Sequence, residues 1–156
     1  MLTVELSDID NQRHKKLIRY LLSQCDVISF HIPGFYDNGM PMDDMKEYHQ
    51  QTRELLQTCL FHGGKQQISN RYYGMRFGWC SKILMIKPFP LLKELLLEHR
   101  LFDWLMQNGL PEDVCFLEKG KLRYFTCAHD ESFFVYNETQ ADRNFLSLNG
   151  FQYWQM

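Results

Sequence analysis

The stretch from Leu101 to Asn137, LFDWLMQNGLPEDVCFLEKGKLRYFTCAHDESFFVYN, constrains the fold more than any other part of the chain. Leu101, Phe102, Trp104, Leu105 and Met106 read as the nearly all-apolar end of a buried helix. Asn108 and Gly109 tolerate the left-handed backbone of a C-terminal cap, and Pro111 follows where a helix cannot continue. Glu112-Asp113 is then a polar lead-in to the strand Val114-Cys115-Phe116-Leu117. Lys119-Gly120 fits a two-residue hairpin turn, because glycine adopts positive φ at little cost. That turn predicts Glu118 opposite Lys121, Leu117 opposite Leu122, and Cys115 opposite Tyr124. The return strand runs on to Cys127, a polar break follows at Ala128–Glu131, and Ser132–Tyr136 is a third strand. Both faces of the hairpin carry apolar residues, so it belongs in a sheet covered at least partly on both sides.

The remaining elements follow from periodicity. Leu2–Leu6 alternates as a short strand. Leu17, Ile18, Leu21, Leu22 and Cys25 share a helical face, which predicts a helix over Ile9–Cys25 after a Ser or Asp cap. Val27–Ile32 is a β-branched and aromatic strand ended by Pro33-Gly34. Phe35 and Tyr36 lie in the loop that follows; such rings more often fold back onto the core than bind a ligand. A second helix starts at Asp43 or Asp44, turns Met45, Tyr48, Thr52, Leu55, Leu56 and Cys59 inward, and stops at Gly63-Gly64. Gln66–Lys87 reads as strands, with Gly74 and Gly78 at bulges or bends. Pro88 and Pro90 start a third helix that continues to the Asn108-Gly109 stop. Asn137 with Gln140 resembles a capping box for a last helix, and the aromatic tail from Phe151 packs. The result is one α+β domain over residues 1–156, with about four helices on an antiparallel sheet of about five strands.

The segment Leu110-Pro111-Glu112-Asp113, Gly120, Tyr124-Phe125 and Ala128-His129-Asp130 resembles a segment of small bacterial proteins, with Asp130 where that pattern more usually has Glu. The resemblance spans about a fifth of the chain. It implies a compact cytoplasmic bacterial domain and brings no activity with it.

Composition narrows the classes. The 45% hydrophobic and 15% aromatic content marks a folding chain, not a disordered one. No run of 18 apolar residues is present, which excludes a membrane-spanning helix. The acidic start MLTVELSDID lacks a secretory core, and the five cysteines have no paired spacing; both fit a cytoplasmic protein with free buried thiols. From Leu55 to Lys93 the chain holds Lys65, Arg71, Arg76, Lys82, Lys87 and Lys93 and no carboxylate; with a total of −2, the other residues carry −8. Arg71-Tyr72-Tyr73-Gly74-Met75-Arg76-Phe77-Gly78-Trp79 interleaves arginine with aromatics, a mixture enriched at protein interfaces and single-stranded nucleic-acid platforms. Arg71, Tyr72, Arg76, Trp79 and Lys82 are therefore the candidate partner-binding residues, and an acidic protein is the expected partner. Nucleic acid ranks below it, since the whole chain is not basic. The blander alternative is an ordinary solvated face whose cations pair with Asp43, Asp44 and Glu47.

Catalytic signals are sparse. His129, Asp130, Glu131 and Glu112 are the candidates for acid–base work, because an imidazole beside carboxylates can act as a general base. A simple turn-stabilising role for His129 is the more economical reading, since no full set of catalytic roles can be assigned. Cys59 with His62, and Cys127 with His129, could offer soft ligands to zinc, but neither pair has a zinc-finger spacing and both thiols fall on apolar faces. His62-Gly-Gly-Lys65 lacks the remaining features of a phosphate loop, and no nucleophile motif is present. The sequence thus leads to a non-enzymatic cytosolic protein-binding domain of the immunity- or antitoxin-like kind, with no cofactor and no metal. A small hydrolase using His129 with nearby carboxylates is the alternative.

Overall fold

The strand β2 (Val27–Phe35) sits near the middle of the molecule, and eight of its nine residues are buried. The computed structural model describes residues 1–156. Around β2 the chain builds one sheet from β1 (Leu2–Val4), β3 (Lys65–Tyr72), β4 (Met75–Ile86), β5 (Glu112–Glu118), β6 (Lys121–Cys127), β7 (Ser132–Val135) and β8 (Tyr153–Gln155). Every pairing is antiparallel, in the order β3-β4-β2-β5-β6-β7-β1-β8. The α+β class and the four helices agree with expectation; the sheet has eight strands, not about five. β1 falls where Leu2–Leu6 alternates, whereas β8, three residues of the tail expected only to pack, is the strand its own pattern did not announce. So short a strand carries almost no periodic signal and exists through its partners.

The helices are α1 (Asn11–Gln24), α2 (Lys46–Phe61), α3 (Pro90–Glu98) and α4 (Gln140–Leu148). Asp10 caps α1 by accepting from the Arg13 amide at 2.8 Å, and Leu17, Ile18 and Leu21 go into the core as their spacing required. These join Ile28 and Phe30 of β2, Leu84 and Ile86 of β4, Leu92 and Leu96 of α3, and Trp104 in the main core on the helical side of the sheet. Thr139, not Asn137, caps α4; it forms the reciprocal box with Asp142, whose carboxylate also accepts from the Thr139 amide.

The third helix is shorter than its pattern. It stops at Glu98, His99 is extended, and two 3-10 turns follow at Leu101–Asp103 and Met106–Asn108 before Gly109 at φ 74°. Leu101, Trp104, Leu105 and Met106 are all buried. A helix exposes one side unless it is enclosed, so a kinked track is what hides four such neighbours at the sheet's end.

The opposite face holds a second apolar cluster: Tyr72, Ile83, Cys115, Leu117 and Phe125, with Phe77 and Phe134 beside them. No helix covers it. The tip of the β3–β4 hairpin does, because the sheet rolls. In a flat sheet β3 would lie about 14 Å from β5, beyond a tyrosine's reach. Yet Tyr72 donates to the Asp113 carbonyl at 2.9 Å, and its ring lies 6.4 Å from Phe125 of β6. The tip itself is Tyr73-Gly74, with φ of 43° and 91°, the paired positive signs of a twist-compatible hairpin turn. Gly74 thus makes the turn rather than a bulge.

Bulges set the remaining geometry. β2 does not end at Pro33 but runs to Phe35, with the register against β4 shifting between them. Proline is tolerated in a strand at such a point. Gly34 has φ 91°, and a Cβ there would lie 2.8 Å from that of Met45. In β5–β6 the turn residues Lys119 and Gly120 have positive φ, and Glu118 faces Lys121 and Leu117 faces Leu122 as expected. Beyond them the register slips, so Cys115 faces Phe125, not Tyr124. The extra residue is Arg123, whose guanidinium is drawn to Asp142 at 2.8 Å and Glu118 at 2.6 Å.

Candidate functional site

Two regions hold the polar residues that the core does not explain. The first surrounds β3 and β4. Arg71 faces Arg76 directly across the hairpin, and Ile68 faces Lys82. Alternation places Arg76 and Lys82 on the helical side, with Leu84 and Ile86. Phe77 and Trp79 occupy the other side, their rings stacked at 5.8 Å. The five sequence-selected residues therefore do not form one patch. Arg71 and Arg76 are exposed together, and Lys82 is half-buried on their side. Trp79 is 45% exposed on the opposite side. Tyr72 is 2% exposed, lost to the second cluster, and cannot meet a partner.

The cations keep their charge uncompensated. The carboxylates of the chain pair with the N-terminus, His31, Lys46, Arg123, His129 and Arg143. None lies within 4.0 Å of Lys65, Arg71, Arg76, Lys82, Lys87 or Lys93. Asp43, which the blander alternative paired with them, instead pairs at 2.8 Å with Lys46, the first residue of α2. On the helical side a cleft of about 640 Å³ separates α2 from β2, β3 and β4. Lys46, Arg53 and Lys82 line it together with Gln50, Gln57 and Gln66, and no carboxylate does. Phe35 is folded into its floor, with the Lys82 ammonium 4.7 Å above the ring. Tyr36, by contrast, stays half-exposed in the adjoining loop. β3 forms one margin of the sheet, so one edge of its eight-residue backbone has no strand partner.

The second region is buried. His31 of β2 is 1% exposed, sandwiched between Tyr72 and Phe77 at ring separations of 4.7 and 5.2 Å. Its Nδ1 lies 3.0 Å from Ser81 Oγ and its Nε2 3.0 Å from Asp113 Oδ2. Asp113 sits at a bulge of β5 against β2, at φ 54°, which breaks the alternation and sets Glu112 opposite His31. Glu112 Oε2 lies 3.2 Å from Nε2 of His129, at the β6–β7 turn.

Of the catalytic candidates, His129 and Glu112 thus meet. His129 is exposed, and its Nε2 meets the Glu112 carboxylate of β5 rather than a backbone group of its own turn. Asp130 accepts only from Cys127 and Ser132, and Glu131 points to solvent at φ 48°. Ser81, His31 and Asp113 make a hydrogen-bonded chain, but Ser81 is 0% exposed and no substrate reaches its hydroxyl. The thiols serve packing. Cys59 is wholly buried on the helical side and Cys127 lies against the second cluster, so the two Cys/His pairs do not converge. Burial pushes Cys25, Cys59 and Cys127 up to about 12. Sequence reasoning missed His31 and Ser81 as polar residues of interest and left Asp113 as a strand lead-in. A lone histidine inside the apolar run Val27–Ile32 was the signal available.

Comparison of the chain with protein-family models, curated proteins and solved structures returns no match.

Proposed function

We propose that this chain is a non-enzymatic protein-binding domain, immunity- or antitoxin-like in its logic, that captures an acidic extended segment of another protein along β3. The observation that carries this reading is the set of unpaired cations between Lys65 and Lys93. A charge cluster of one sign steers encounter and selects a partner of the opposite sign. The free edge of β3 supplies the backbone donors and acceptors that an added strand needs. Alternate side chains of such a strand would point to the helical side, toward Lys82 and Arg53. Arg71 and Arg76 would meet the end of the segment near the hairpin tip.

The test is fluorescence anisotropy of a labelled extended peptide alternating Glu and Val, titrated with the protein at low and moderate salt. Binding in the micromolar range that weakens with salt is the expected result, with at least a tenfold loss in the Arg71→Glu/Arg76→Glu variant. Equal binding by that folded variant, or equal binding of a Lys–Val peptide, would overturn the proposal.

A further inference from the structure

We infer that His31, Asp113 and Glu112, joined at the surface by His129, form a site for one divalent first-row metal ion such as Zn²⁺ or Mn²⁺. The three buried residues each offer a ligand atom, and these atoms lie within 4.8 Å of one another. His129 brings its Nε2 to 3.2 Å from Glu112 Oε2. The buried donor set is one imidazole and two carboxylates, and His129, which meets Glu112 from the surface, would add a second imidazole, a mixture such ions accept. With metal–ligand bonds of about 2.1 Å, neighbouring ligand atoms of a tetrahedral ion sit about 3.4 Å apart. The His31–Asp113 pair at 3.0 Å and the Glu112–His129 pair at 3.2 Å are close to that spacing, and the buried atoms, up to 4.8 Å apart, would draw together around the ion.

The surroundings orient the ligands as a metal site requires. The second nitrogen of His31 is held by Ser81, and its ring is fixed by Tyr72 and Phe77. The second oxygen of Asp113 accepts from the Ala128 amide at 2.8 Å. The second oxygen of Glu112 accepts from the Met106 amide at 3.3 Å. Each of the three buried side chains thus has one polar atom tied to the scaffold and one left for the cluster. That is the outer-shell pattern that fixes a ligand's tautomer and aim. The local charge agrees with it. Two carboxylates at 8% and 3% exposure share a small space, and a +2 ion would balance them. The exposed His129 ring leaves a way in from solvent, and the ion would tie β2 and β5 to the β6–β7 turn.

Protein stripped with chelator and titrated with Zn²⁺ and, separately, Mn²⁺ tests this by calorimetry and thermal unfolding. Expected is one saturable equivalent of at least one ion with a raised Tm, and d–d absorption from four-coordinate Co²⁺ in the same site. Glu112→Gln should weaken binding about 100-fold and His129→Ala about tenfold, within the span seen even for residues that only support a ligand. Asp113→Asn serves as a second buried-ligand variant if its circular dichroism matches wild type, and Glu112→Gln carries the test if it does not. No saturable binding by the folded wild type, or binding unchanged in Glu112→Gln and His129→Ala, overturns the inference. The peptide titration does not depend on this site, so either result can stand without the other.

Discussion

Arg71 and Arg76 stand opposite each other one pair from a tight turn, where like charges oppose folding. Replacing Arg76 by Glu turns this repulsion into attraction. Taking the charged ends as about 6 Å apart in a water-like medium, each interaction is worth about 0.7 kcal/mol. The sign change therefore swings the pair by about 1.4 kcal/mol before salt. Physiological ionic strength has a Debye length of about 8 Å and reduces this to about 0.6 kcal/mol. That falls inside the range of about 0.2–1 kcal/mol known for cross-strand pairs. For a chain this long it corresponds to a rise in Tm of about 1–3 °C. Arg76→Glu should thus fold more stably than wild type while capturing the acidic peptide less well. The assay is urea unfolding of wild type, Arg71→Glu, Arg76→Glu and the double variant at low and high salt. Each single variant should gain stability and the double variant should lose it again, with a coupling that shrinks in salt. A coupling of zero at low salt, or a stability loss in both single variants, would refute the facing-arginine geometry.

Two further outcomes follow from buried polar groups. Asp142 accepts from Tyr20, Tyr124, Thr139 and the Arg123 guanidinium. Burial alone would raise its carboxyl, but the bonds from Tyr124, the Thr139 amide and Tyr20 outweigh it and hold the group below its ordinary value. Its contribution is therefore complete above about pH 4 and is lost as pH falls through the lower folded value. Asp142→Asn removes Arg123's buried counter-charge and leaves only the partly exposed Glu118 to pair it, and should cost about 3 kcal/mol in urea unfolding, with a shallower acid limb. Cys25 and Cys59, raised to about 12 by burial, should resist thiol labelling at pH 8 until the protein unfolds, as mass spectrometry of labelled peptides would show.

The sequence made the helices legible because each buries a stripe: the i, i+1, i+4 spacing of Leu17, Ile18 and Leu21 could serve little else. It made the β5–β6 turn legible because Lys119-Gly120 is local chemistry. What it hid depends on distant partners. Arg123 slips the register to reach Asp142, nineteen residues on, and nothing near Arg123 announces that. Leu101–Met106 has a helical pattern, yet the core at the end of β2 takes those side chains from several sides at once. The cationic character of the β3–β4 region was plain from composition, but the roll of the sheet that buries Tyr72 was not. The histidine–carboxylate cluster joins residues separated by 82 positions through a bulge at Asp113, a backbone state with no short-range signature in a non-glycine residue.

Backbone-resolved NMR of the chain, titrated with the Glu–Val peptide, tests the capture of an acidic strand most directly. The amides of Lys65–Tyr72 that point away from β4 should shift and gain protection from exchange, in step with the peptide's anisotropy. Unchanged β3 amides in a sample that binds the peptide would contradict it.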